Sequence, residues 1–128
     1  MKSLLFFLLF FLSSIYFSLG QHQNVIIGDP LNWGLPNEPS VCINPANPEE
    51  ILVGAMSDNY YISYNGGNSW THGILQSSWW VNADPVVLVD QHGRFYYLHL
   101  PDVINKVVIH RKDDLGASWS EVANIAFN

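Results

Sequence analysis

The chain has 128 residues, 48% of them hydrophobic and only 12% charged, with 5 Lys and Arg against 11 Asp and Glu. Lys2 is the only charged residue before Asp29, so the 108 residues from Gln21 onward carry 4 basic and 11 acidic side chains, a net charge of −7. That balance excludes a basic nucleic-acid surface, because neutralising phosphates needs clustered Lys and Arg. The length allows one small domain or part of a larger one.

The first twenty residues differ in kind from the rest. Lys2 precedes an apolar run from Leu4 to Leu12 that continues through Ile15, Tyr16 and Phe17, and Ser18 and Gly20 supply small residues at its end. A short positive start, an apolar middle and small residues before the cut are the layout of a secretory signal peptide. Residues 1–20 are therefore expected to be removed between Gly20 and Gln21. Ser13 and Ser14 interrupt the run and no basic stop-transfer cluster follows, which argues against a retained anchor. The mature chain is expected outside the cell or in a periplasm, with no stable membrane anchor.

From Gln21 the text reads as short strands between turn residues. Residues 21–36, with Val25–Ile27, form a lead-in strand. Further strands are expected at Ser40–Ile43, Ile51–Ala55, Tyr60–Tyr64, Val86–Val89, Phe95–Leu100 and Val107–His110, all short and rich in β-branched or aromatic residues. Turn residues separate them, among them Asn65-Gly66-Gly67 and Gln91-His92-Gly93. No apolar stripe of helical period is present, so the mature chain is all-β. Cys42, alone in its strand, reads as a small buried hydrophobe rather than a nucleophile. The five His show neither HExxH nor CxxC company, and no metal or cofactor is expected.

Two features recur in order. The octet Ser63-Tyr64-Asn65-Gly66-Gly67-Asn68-Ser69-Trp70 matches Lys112-Asp113-Asp114-Leu115-Gly116-Ala117-Ser118-Trp119, and upstream Glu38-Pro39-Ser40-Val41 matches Asp84-Pro85-Val86-Val87. The period lies in the forties, with about four strand signals per unit, which is the mark of a β-propeller blade. In each octet Asn65 or Asp114 accepts backbone N–H bonds that close the turn. Gly67 and Gly116 are expected to supply a positive φ. Ser63, Ser69 and Ser118 add hydroxyls, and Trp70 or Trp119 folds its indole over the hairpin. The octets are architecture.

They resemble the Asp-box, or BNR repeat, best known from the sialidases. The resemblance covers about Asn37 to Val122 and departs from the pattern at Lys112, where a hydroxyl is usual, and at Asn65, where Asp is usual. It implies a propeller of the six- or seven-bladed sialidase-like type. Residues 37–128 would supply two blades, 38–83 and 84–128, as the amino-terminal fragment of a longer ring. It further implies a secreted glycoside hydrolase of exo-α-sialidase type acting on a glycan or glycoconjugate, with no turnover from the two blades alone. The alternative is a non-catalytic propeller that binds glycans or protein partners. Sialidases clamp a carboxylate with three Arg, and here no Arg precedes Arg94, which lies outside the family's Arg-Ile-Pro motif.

Candidate site residues follow from the chemistry of glycosidic hydrolysis, which needs a carboxylic acid kept protonated near neutrality. Asp84 is the preferred acid/base because Trp79 and Trp80 lie just upstream, and Glu38 is its counterpart in the first unit. The competing reading makes Glu/Asp-Pro a turn that opens each blade. Trp79, Trp80 and Arg94 are candidate substrate contacts, with Trp33 a further tryptophan ahead of the repeat. Since neighbouring strand residues face opposite ways, only one of Trp79 and Trp80 is expected on a given surface. Tyr60-Tyr61 and Tyr96-Tyr97 read as packing at matching positions.

Overall fold

The computed structural model describes residues 24–28 and 37–127. The expected signal peptide, most of the expected lead-in strand and Trp33 lie outside the described residues. Eight strands form two antiparallel sheets, each built from four consecutive strands. The first holds β1 (Ser40–Ile43), β2 (Ile51–Gly54), β3 (Asn59–Ser63) and β4 (Thr71–Ile74). The second holds β5 (Ala83–Val89), β6 (Phe95–Leu100), β7 (Lys106–Lys112) and β8 (Ser120–Ala126). The described residues are all-β, as the short apolar runs without helical period imply. Val25–Ile27 is not a strand; Ile27 packs against Val53, Ala55 and Tyr61. Among the described residues no strand pairs with this triplet, so it has no ladder to join.

β4 and β8 escape a search for apolar alternation because they are outer edges. Thr71 to Ile74 is mostly exposed and β8 is exposed throughout, so neither carries the period-2 pattern that burial of one face imposes.

Pairing shows how the two units correspond. Val41, Val53, Tyr61 and His72 stand in one row across the first sheet, and Val87, Tyr97, His110 and Glu121 in the equivalent row of the second. Tyr61 therefore matches His110. The Tyr60-Tyr61 and Tyr96-Tyr97 pairs do not match, since one lies on a third strand and the other on a second. The next row, Cys42, Leu52, Ile62 and Thr71, corresponds to Leu88, Tyr96, Arg111 and Ser120.

These rows pack front to back. Leu52 and Ile62 of the first sheet meet Val87, Phe95 and Tyr97 of the second, with Leu75 and Leu115 completing the core. The second sheet turns the face that carries its Leu52-like row outward, and there Leu88 is 41% and Val86, two residues along the strand, 48% exposed. Inner edges meet as well: the free N–H of Val87 donates to Ser40 Oγ at 3.0 Å. Gly54 allows the closest approach. A Cβ there would lie 2.9 Å from both Tyr97 Cε2 and Val87 Cγ1, tighter than packed carbon atoms tolerate.

The octets staple the β3–β4 and β7–β8 turns, but not in the same way. In the first, Gly67 N–H donates to Ser63 Oγ at 2.8 Å and Ser69 N–H to Asn65 Oδ1 at 2.9 Å. Asn65 Nδ2 donates to Ser69 Oγ at 2.9 Å, and Trp70 Nε1 to the Gly67 carbonyl at 2.9 Å. Gly67 has φ 88°, as expected. Gly116, by contrast, is absent from the positive-φ residues among those described. Lys112 has no acceptor for the Gly116 N–H; its ammonium instead donates to the Leu115 carbonyl at 3.0 Å. The turn closes one residue earlier, with Ala117 N–H on Asp114 Oδ1 at 2.8 Å. Asn65→Ala removes two acceptor bonds and one donor bond, for an expected loss of about 1.5 kcal/mol. In thermal melts that is a Tm drop of about 7 °C, whereas Asn65→Asp should lie within about 2 °C of the parent.

Candidate functional site

The structure separates the candidate residues between the two ends of the sheets. Glu38, Asp84, Trp79 and Trp80 sit at the end where β1 and β5 begin, beside the β6–β7 connection. Arg94 follows the hairpin at the far end of β5, and seven residues of strand put it about 20 Å away.

Asp84 and Glu38 are exposed and hold left-handed backbone, φ 53° and 51°. Each precedes a proline that narrows its conformational choices further. At Asp84-Pro85 the β5–β6 register slips between Ala83 and Val86, so the bulge turns Asp84 out to solvent while Pro85 is buried. A left-handed non-glycine residue is stored strain. Its recurrence at the same place in both units fits the reading of Glu/Asp-Pro as the opening turn of each sheet.

Trp79 and Trp80 are 42% and 80% exposed. Both line one groove of about 300 Å³, with Pro101, Asp102, Val103 and Asn105. The expectation that one surface takes only one of them fails because they lie in a connection rather than a strand, and Trp80 adopts φ 58°. One face of Trp79 is taken by Lys106, whose Nζ stands 3.4 Å from the ring centroid. Trp80 also forms a wall of a second cavity, of about 280 Å³, with Asp58, Gln76 and Ser77. The connection is tied down where Ser78 donates from Oγ at 2.7 Å and from N–H at 3.3 Å to Glu121 Oε2.

Arg94 is committed locally. Its Nε donates to Asp90 Oδ2 at 2.7 Å, and Asp90 also receives the N–H groups of His92 and Arg94 and the Tyr96 hydroxyl. Partial burial works against ionising Asp90, but these four donors outweigh it and hold the carboxyl well below the usual range. The other arginine, Arg111, pairs with Asp113 at 3.1 Å at the same far end. Neither guanidinium faces the tryptophan groove, so among the described residues no bidentate clamp for a carboxylate forms there.

Sequence reasoning missed one polar pair. His99 and His110 are each 1% exposed and lie one behind the other on β6 and β7. Their Nε2 atoms are 3.2 Å apart and their rings stack at 5.2 Å. The Leu100 carbonyl can only accept, so His99 Nδ1 donates to it at 3.2 Å, leaving His99 Nε2 to accept from His110 Nε2. Burial pushes both imidazoles down, His110 to about 4, with His99 adding to the effect on it. The signal was present: each His continues the buried phase of its strand, after Phe95 and Tyr97 in one and Val108 in the other. Cys42 is half-buried in β1, and burial raises its thiol to about 11, which removes it as a nucleophile at neutral pH. No set of three or more His, Cys, Asp or Glu among the described residues is placed to hold a metal ion.

No family model matches the chain, and no curated protein or solved structure matches it significantly.

Proposed function

We propose that the chain is part of a secreted propeller of the sialidase-like Asp-box type and binds a glycan across the Trp79–Trp80 groove. The architecture is supported by the front-to-back stacking of two equivalent four-stranded sheets, which repeats in one direction as blades do. The single observation that carries the function is Trp80, 80% exposed beside Asp102 and Asn105. An indole face stacks on the C–H face of a sugar, while the neighbouring amide and carboxylate suit hydroxyl groups. Signal-peptide export would place that groove where glycans are met.

Hydrolysis of sialidase type is the second reading. It is favoured by the exposed carboxylates Asp84 and Glu38, held strained at the same end as the groove. Binding ranks first because both described arginines are engaged at the opposite end.

The test is an array of neutral and sialylated glycans probed with the parent and with Trp80→Ala. At least tenfold weaker binding by the variant, at unchanged Tm, is expected; equal binding would remove the groove from consideration. Turnover of a fluorogenic sialoside that Asp84→Asn abolishes would replace the binding reading by the hydrolytic one.

A further inference from the structure

A third cavity, of about 310 Å³, lies between the two sheets, walled by Tyr60, Ile74 and Gln76 on one side and by Lys112, Ser118 and Trp119 on the other. Its chemistry is unlike that of the tryptophan groove. Lys112 is 5% exposed, and at the equivalent place the first octet carries the neutral hydroxyl of Ser63. Burying an ammonium is costly unless it is paired, and a costly departure inside an otherwise structural motif marks a site with another task.

The ammonium is incompletely matched. Of its three N–H donors one reaches the Leu115 carbonyl at 3.0 Å, an acceptor already shared with the Tyr64 hydroxyl at 3.0 Å. The ring centroids of Trp119 and Tyr60 lie 5.3 and 5.7 Å from Nζ. The ion pairs among the described residues are Arg94–Asp90 and Arg111–Asp113, so no described carboxylate pairs with Lys112. Burial accordingly lowers its pKa, with Asp114 acting in the opposite sense. A second donor in the same wall is also unmatched: Trp119 Nε1 is buried without an acceptor, whereas Trp70 Nε1 has one.

We infer that this cavity binds the carboxylate of a small organic acid, with Lys112 as the charged anchor and the Trp119 indole N–H as a second donor. A carboxylate offers two acceptor oxygens and a single charge, which suits one ammonium and one neutral N–H. A phosphate dianion would leave a charge uncompensated. Tyr60 and Trp119 present ring surface to the apolar part of the ligand. The site is independent of the Trp80 groove, and failure of either leaves the other standing.

The experiment follows the tryptophan indole N–H resonances of the purified chain during titration with acetate, D-glucuronate and, as the neutral control, D-glucose. Saturable shifts with both acids, on a resonance that Trp119→Phe deletes, and none with glucose are expected. Lys112→Met should weaken both acids at least tenfold; if it does not fold, Lys112→Gln, which keeps a donor for Leu115, replaces it. Equal affinity for the two acids means that the carboxylate alone is recognised, and tighter glucuronate means that the sugar body is recognised too. No saturable shift, an equal response to glucose, or unchanged affinity in the lysine variant overturns the inference.

Discussion

Tyr97→Ala is expected to lose about 4 kcal/mol of stability, the upper part of the range for emptying a large buried site. For a chain of this size that is a Tm drop of about 20 °C. Tyr97 is fully buried, and its ring fills the space that Gly54 leaves open between the sheets. Its hydroxyl crosses to the first sheet, donating toward the carbonyls of Ala55 at 3.1 Å and Asn59 at 3.2 Å. Removing the side chain takes away apolar contact and strips a donor from buried carbonyls in one step. Tyr97→Phe isolates the second part and should cost about 1.5 kcal/mol. Chemical denaturation of the three proteins checks both figures; a loss under about 2 kcal/mol for Tyr97→Ala would mean that the two sheets do not depend on this contact.

Acid is expected to weaken the protein through the His99–His110 pair. Both imidazoles have folded pKa values below their ordinary 6.5, His110 at about 4. Well above pH 6.5 the rings are neutral whether the chain is folded or not, so the pair has no influence on the pH dependence there. Between about pH 6.5 and 4 the unfolded chain takes up protons that the folded chain refuses, and stability falls as pH falls. Below about pH 4 the folded His110 protonates too and its contribution levels off. The loss across the window is on the order of 2 kcal/mol. Urea midpoints at pH 7 and pH 4.5 measure it. In His110→Gln the difference should shrink, and an unchanged difference would assign the acid sensitivity to other groups.

Much of the fold was legible because the repeat reports itself twice. Ser63 to Trp70 and Lys112 to Trp119 fix two turns, and apolar runs announce β1, β2, β3, β5, β6 and β7, although Val41 and Ile43 of β1 and Val86 and Leu88 of β5 turn outward. The outer strands β4 and β8 were not legible, because an exposed edge has no buried face to write an alternation. Gly116 shows that a shared motif does not ensure a shared conformation. One change, Ser63 to Lys112 in register, removes the acceptor that holds the loop of the first octet. At the site, the Trp79-Trp80 pair was visible, but its joint use of one groove depends on the left-handed turn at Trp80, which no local signal announced. The His99–His110 contact depends on the pairing of β6 with β7, knowable only once the strands are in register.

The order of assembly follows from the meander. Every strand of the first sheet pairs with its neighbour in sequence, so that sheet closes only short loops as it forms and can gather while the second is still being synthesised. Union of the two halves must wait for residue 97 to be available, since the ring that enters over Gly54 comes from there. Until then Leu52 and Ile62 stand uncovered, and the nascent chain passes through an interval in which its first half is shaped but still adhesive.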